Sequence, residues 1–130
     1  MKNDSRKSKR ITDFLSVGVF VKNRENGATV EGPFTGTIID FSLDGACILM
    51  SQIRREGCHL YHSPKENESL FLKIVVNKPP HLENFTLSAS PVWLNTFESD
   101  EFQERLIGVR FLEKTDEQKS AAINTIIRDT

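Results

Sequence analysis

Two short clusters contain side chains that could bind an anionic ligand rich in hydrogen-bonding groups. Arg6 and Arg10 form an R-x-x-x-R pair, and Asp40, Ser42 and Gly45 form a D-x-S-x-x-G pattern further along the chain. Arginine guanidinium groups match phosphates and the O6/N7 edge of guanine, whereas a carboxylate accepts hydrogen bonds from the ring N–H and exocyclic amine of guanine. Together the two clusters predict a guanine nucleotide that carries phosphates.

The arginine pair lies on a basic segment attached to an acidic body. The first ten residues have a net charge of +4, which leaves −5 on the remaining 120 residues. Such a segment favours anions, and Lys7 and Lys9 between the arginines could add long-range attraction as secondary contacts. We therefore expect residues 1–13 to be a flexible basic arm and residues 14–130 to form one folded domain.

Length and composition limit the class of protein. A chain of 130 residues with 38% hydrophobic and 27% charged residues is long enough for one domain with a hydrophobic core. No apolar run approaches a membrane span, and polar residues interrupt residues 11–21, where a signal peptide would be continuous. Cys47 and Cys58 lack the dense pattern of a disulfide-stapled secreted domain. These features predict reduced thiols and a cytosolic protein without a membrane anchor.

Six segments have the β-branched, aromatic or alternating composition of strands. They are residues 14–22, 34–41, 46–50, 70–76, 85–94 and 105–111. Gly32-Pro33 is expected to break the chain before the second strand, and Pro91 predicts an edge, a bulge or a strand end. The compact apolar run 46–50 suits a strand that is buried on both faces or lies in a curved sheet. Residues 51–69 are expected to form a polar surface loop, with some helix at its start.

The end of the chain has the signals of a helix. Thr115 and Gln118 occupy the N-cap and N3 positions of a capping box, and Ile123, Ile126 and Ile127 repeat at helical spacing. The isoleucine face must pack against the β-structure. The sequence thus predicts an all-β fold with a C-terminal helix, either a small antiparallel barrel or a sandwich.

The order of these features carries a resemblance to a known family. The basic arm comes first, D-x-S-x-x-G connects two strands, residues 108–111 read G-V-R-F in the last strand, and Val92-Trp93 supplies an apolar pair in the strand before it. Over residues 6–128 the chain resembles a PilZ domain. This resemblance implies a six-stranded antiparallel β-barrel that binds cyclic di-GMP, a bacterial second messenger, and that has no catalytic activity or cofactor of its own.

The resemblance also implies a role for each matching residue. Arg6 and Arg10 would grip the ligand from the arm, Asp40 and Ser42 would contact it from the barrel, and Gly45 would provide the turn that places Asp40 and Ser42. Asp40 suits guanine rather than adenine because carboxylate oxygens only accept hydrogen bonds, and adenine has no donor where guanine has N1–H. A glycine at position 45 suits a connection that requires a positive φ. Ordering of the arm over the ligand would then change a surface that a downstream effector protein recognises.

Other functions stay open at this stage. The alternative is a PilZ-like adaptor that acts through protein contacts with little nucleotide affinity. An RNA-binding barrel is a third option, although the acidic body makes nucleic acid an unfavourable partner. An enzyme is the weakest hypothesis, because the sequence contains neither a G-x-S-x-G nucleophile elbow nor a Walker-type phosphate loop.

Several further residues have two interpretations each. Arg110 should point away from the core, where it could lie near the ligand or be solvated. Trp93 could be a stacking surface for nucleic acid, but in an alternating strand it is expected in the core. Cys58, His59 and His62 form C-H-x-x-H, whose spacing does not match paired zinc ligands, so no metal is expected.

Overall fold

The computed structural model describes residues 15–77, 85–98 and 103–113. Within these ranges the chain forms eight strands and one short helix: β1 (Ser16–Asn23), β2 (Thr29–Phe41), β3 (Gly45–Met50), β4 (Arg54–Arg55), β5 (Cys58–His59), α1 (His62–Glu66), β6 (Leu70–Val76), β7 (Thr86–Glu98) and β8 (Gln103–Phe111). None of the helices in the described ranges is long and apolar enough to cross a membrane. The basic arm and the predicted C-terminal helix lie outside the described residues.

Six strands close into an antiparallel barrel in the order β1, β2, β3, β8, β7, β6. The barrel closes because β1 pairs with β2 along one edge and with β6 along the other. The prediction of a six-stranded antiparallel β-barrel is therefore confirmed. Strands β4 and β5 pair only with each other, outside the barrel sheet.

The barrel interior is filled by alternate side chains from each strand. Val17, Val19 and Val21 of β1 are at most 1% exposed, as their period-two spacing predicts. In β3, Ile48 and Met50 are buried while Leu49 is half-buried. Of the two alternatives for residues 46–50, the strand in a curved sheet is confirmed and burial on both faces is wrong, because only one face of this strand points into the closed barrel.

Strand β2 begins earlier than its sequence suggests. It runs from Thr29 through Gly32 and Pro33 instead of starting after them. The pairing of β2 with β1 is irregular between Val19 and Val21, opposite this Gly-Pro pair. A side chain at Gly32 would overlap the backbone of Phe20, so the strand continues only because residue 32 is a glycine. The predicted chain break is therefore a bulge.

Residues 51–69 are more ordered than a surface loop. They contain the β4–β5 hairpin followed by α1, so the helix lies near the end of the segment and not at its start. Cys58 and Leu60 are buried with the core, which anchors the hairpin. Arg55 also fixes it, donating to Glu31 Oε2 at 3.3 Å and to the Pro33 carbonyl at 2.8 Å. No sequence pattern predicts this anchoring, because the buried residues of the segment are few and follow no regular period.

Candidate ligand-binding site

The D-x-S-x-x-G segment is the tight connection between β2 and β3. Ser42 shapes it: its Oγ accepts hydrogen bonds from the backbone N–H groups of Asp44 and Gly45, at 3.3 and 3.2 Å. The Ser42 N–H donates to the Gly45 carbonyl at 2.9 Å. Phe41 anchors the start of the connection in the core, with its ring centroid 5.3 Å from that of Phe111. The connection is therefore held from both ends by hydrogen bonds and by packing.

Gly45 is required for a reason that differs from the expected one. Its φ is not positive; the described glycines with positive φ are Gly27, Gly32 and Gly57. Instead, a Cβ atom at position 45 would overlap the carbonyl oxygen of Val109 on the neighbouring strand β8. The expectation of a left-handed turn residue is wrong, and close approach of two backbones explains the glycine.

Strand register places four residues in one row across the outside of the barrel. Asp40 of β2 is opposite Cys47 of β3, Cys47 is opposite Gly108 of β8, and Gly108 is opposite Trp93 of β7. Neighbouring strands are about 4.8 Å apart, so the Cα atoms of Asp40 and Trp93 are roughly 14 Å apart. The two residues between them have small side chains, which leaves room above the strands.

That room is an open cleft of about 340 Å³. The D-x-S-x-x-G connection forms one wall, Val92 and Trp93 form another, and β3 and β8 form the floor. Arg110 also lines the cleft; it is exposed and is the register partner of Gly45. The prediction that Arg110 points away from the core is confirmed. The cleft thus combines a carboxylate, a hydroxyl, a guanidinium and an indole, groups that suit a polar ligand with a flat ring.

The thiol in the floor of the cleft is not activated. Partial burial raises the pKa of Cys47 above its ordinary value, and the negative charge of Asp40 raises it further. A thiol with a raised pKa stays protonated near neutral pH and is a poor nucleophile. Cys47 therefore contributes shape to the cleft rather than reactivity.

The structure brings together Asp40, Ser42, Gly45 and Arg110, which sequence reasoning selected as site residues. Arg6, Lys7, Lys9 and Arg10 lie outside the described residues. The described chain begins at Leu15, whose carbonyl accepts a hydrogen bond from the N–H of Ile38 at 3.1 Å, two residues before Asp40.

Trp93 is the residue whose position sequence reasoning missed. It was expected in the core, but it is 42% exposed and lines the cleft. The alternation that buries Ala89 and Pro91 would bury residue 93 as well, but a bulge between Pro91 and Trp93 inserts one extra residue into β7 and turns Trp93 to the outer face. Pro91 was the available signal, because proline in a strand marks such a bulge.

The C-H-x-x-H segment contains a buried histidine that stabilises the local fold. His59 is 9% exposed, and its Nδ1 accepts hydrogen bonds from the backbone N–H groups of Tyr61 and His62 at 3.0 and 3.1 Å. Nδ1 is therefore occupied as an acceptor at the start of α1. Among the residues described, no three His, Cys, Asp or Glu side chains are grouped to hold a metal ion.

Comparison with known proteins identifies the family to which this chain belongs. The family model described as "PilZ domain" matches residues 4–128, nearly the whole chain. The chain therefore belongs to the PilZ domain family, in agreement with the barrel and with the resemblance found in its motifs. No curated protein sequence matches the chain significantly.

A similar fold is found among solved structures. The crystal structure of the Borreliella burgdorferi PlzA protein in complex with c-di-GMP superposes with a TM-score of 0.51 and 14% sequence identity. The match covers 95% of this chain and 47% of the PlzA chain, so this chain spans about half the length of that protein. At this identity the similarity concerns the fold alone.

Proposed function

We propose that this chain is a receptor module that binds cyclic di-GMP in the cleft between Asp40 and Trp93. Asp40 accepts hydrogen bonds from a guanine edge, and Ser42 and Gly45 hold the connection that presents this carboxylate. Arg6 and Arg10 bind the phosphates from the arm, with Lys7, Lys9 and Arg110 as secondary contacts. This receptor acts in the cytosol by binding and is not an enzyme.

One observation carries this proposal: the D-x-S-x-x-G connection and Arg110 line one open cleft, and the described chain begins at Leu15, which is hydrogen-bonded to Ile38, two residues before Asp40. Arg10 precedes Leu15 by five residues and Arg6 precedes it by nine. At roughly 3.4 Å per residue, these lengths let the two arginines reach about 17 and 30 Å from Leu15, next to the start of β1. Both can therefore meet a ligand that touches Asp40.

Membership of the PilZ family supports this ligand. The similar PlzA structure, which was determined in complex with c-di-GMP, supports it as well. The charge of the arm also suits this ligand, because a cyclic dinucleotide has two negatively charged phosphates and the arm is the basic part of an otherwise acidic chain. We further propose that the arm becomes ordered over the ligand, and that the surface formed in this way is recognised by an effector protein.

Calorimetric titration with cyclic di-GMP tests the ligand. The native chain should bind, and Arg10→Ala should bind about ten- to a hundredfold more weakly, because each charge-assisted contact is worth roughly 1.5 to 3 kcal/mol. Arg54→Ala is the matched control, since Arg54 is an exposed arginine of the β4–β5 hairpin outside the cleft. Equal affinities for native and Arg10→Ala would reject the arm as a clamp. No heat from the native chain would reject the receptor and favour the adaptor.

Limited proteolysis tests the ordering of the arm. Trypsin cleaves after the lysines and arginines of residues 1–10, and cyclic di-GMP should slow cleavage there. Arg10→Ala at the same ligand concentration should lose most of this protection. Unchanged cleavage of the native chain at saturating ligand would contradict arm closure, even if calorimetry shows binding.

A further inference from the structure

We infer that one edge of β7 pairs with the same edge of a second copy of this chain, so that two barrels form a two-fold symmetric dimer. The inference does not depend on nucleotide binding. In the described parts of the chain, β7 pairs with β6 over residues 86–89 alone, but it pairs with β8 as far as Glu98. Residues 93–97, the free edge of β7, therefore have a neighbouring strand on one side only.

The backbone of this free edge is open to a further strand. Among the described residues, no backbone hydrogen bond joins residues 93–97 to an element other than β8. The hydroxyl of Tyr61 donates to the Val92 carbonyl at 3.5 Å, so the edge becomes free just after this contact. In a strand with one neighbour, about half of the N–H and C=O groups point away from it. Such a row of groups is a template for another strand.

The free edge also lacks the features that usually prevent strand addition. It reads Trp-Leu-Asn-Thr-Phe, without a charge or a proline. Pro91 and the bulge, which would obstruct pairing, both precede it. Trp93 is 42% exposed and Phe97 is 45% exposed. Exposed aromatic side chains and depletion of charge are typical of a protein interface.

The free edge is complementary to itself in one antiparallel register. It has five residues, so a two-fold axis at its centre places Asn95 opposite Asn95 of the second copy. Trp93 is then opposite Phe97 of the second copy. These two side chains lie on the same face of β7, because no bulge separates them, and they form an aromatic cross-strand pair. The indole of Trp93 lies over Gly108 of β8, which leaves the side toward the free edge uncovered by β8.

A second copy suits this edge better than an unrelated strand. Each aromatic pair occurs twice in the two-fold arrangement, because the same surface of both copies takes part. Residues 11–130 have a net charge of −5, but the free edge is uncharged, so two copies can meet there without opposing like charges. The contact is small, and we therefore expect a dimer in exchange with the monomer.

Analytical ultracentrifugation of the nucleotide-free chain, from micromolar to millimolar concentration, tests the dimer. The native chain should change from monomer to dimer without larger species, because the contact uses the free edge of both copies. Asn95→Lys and Asn95→Asp each place like charges opposite each other on the axis, so each variant should have a Kd about tenfold higher. An equimolar mixture of the two variants pairs lysine with aspartate and should recover the native Kd.

Thr35→Lys is the matched control and should dimerise like the native chain. Thr35 is an exposed residue of β2, a strand that has neighbours on both sides. A native chain that stays monomeric over the whole range would overturn the inference, and so would a dimer that both Asn95 variants leave intact. A mixture that associates no better than either variant alone would reject the two-fold register. Circular dichroism of each variant verifies that it is folded.

Discussion

Gly45 and Val109 approach so closely across β3 and β8 that a side chain at position 45 would overlap the Val109 carbonyl oxygen. This contact sets how the D-x-S-x-x-G connection lies on the barrel. The Asp44 carbonyl next to it accepts a hydrogen bond from the N–H of Phe111 at 2.7 Å, so β8 fixes the connection at two neighbouring points. The site is therefore formed by a strand far away in sequence.

Gly45→Ala should destabilise the fold by about 1 to 3 kcal/mol, because the new methyl group must push β3 and β8 apart. Urea denaturation followed by circular dichroism measures this. Leu43→Ala, an exposed change in the same connection, should stay within about 0.5 kcal/mol of the native protein. If Gly45→Ala is as stable as the native protein, β3 and β8 can move apart without a cost in free energy, which would contradict the prediction.

Ser42→Ala should reduce the free energy of cyclic di-GMP binding by more than it reduces the free energy of unfolding. The variant removes the acceptor for the N–H groups of Asp44 and Gly45, but both are exposed and can bond water, so stability should fall by only about 0.5 to 1.5 kcal/mol. Ser51→Ala is the control, since Ser51 donates to the Thr35 carbonyl at 3.0 Å at the other end of β3. Equal ligand affinity in both variants would show that Ser42 is not needed for binding.

Acidification should destabilise the protein through His59. Burial lowers the pKa of His59 below its ordinary value, and the charges of His62 and Arg54 lower it further. Below about pH 6.5, His59 therefore binds a proton more readily in the unfolded chain than in the folded chain. The free energy of unfolding falls as the pH decreases. Protonation would also place a proton on Nδ1, where two backbone N–H groups already donate.

Urea denaturation at pH 7.5, 6.5 and 5.5 measures this dependence. His59→Asn keeps a side-chain acceptor without the titration, so its stability should vary less over this range. A native protein whose stability is constant between pH 7.5 and 5.5 would contradict the prediction.

Arg55→Lys should cost about 1 to 2 kcal/mol of stability. The guanidinium of Arg55 binds Glu31, the Pro33 carbonyl and Gln52, and it lies 4.8 Å from the ring centroid of Phe34. Lysine cannot reproduce this planar fork. Arg54→Lys at the exposed neighbouring position is the matched control and should be near neutral in thermal denaturation. Similar losses in both variants would indicate a general charge effect instead.

Much of the architecture could be predicted from the sequence because it depends on local patterns. Period-two alternation placed Val17, Val19 and Val21 in the core, and the spacing of Asp40, Ser42 and Gly45 indicated a short connection between strands. Side-chain periodicity and turn composition involve only a few consecutive residues, so they can be recognised in the sequence alone.

Tertiary structure decided which distant residues share the cleft. Asp40 and Trp93 line the same cleft only because β2, β3, β8 and β7 pair in one register, and Trp93 faces outward only because of the bulge after Pro91. Register is set by closure and packing of the whole barrel, and a single inserted residue reverses the face of every side chain beyond it. The sequence by itself therefore determined the barrel and its polar motif, whereas the aromatic wall of the site depends on strand pairing that no local pattern specifies.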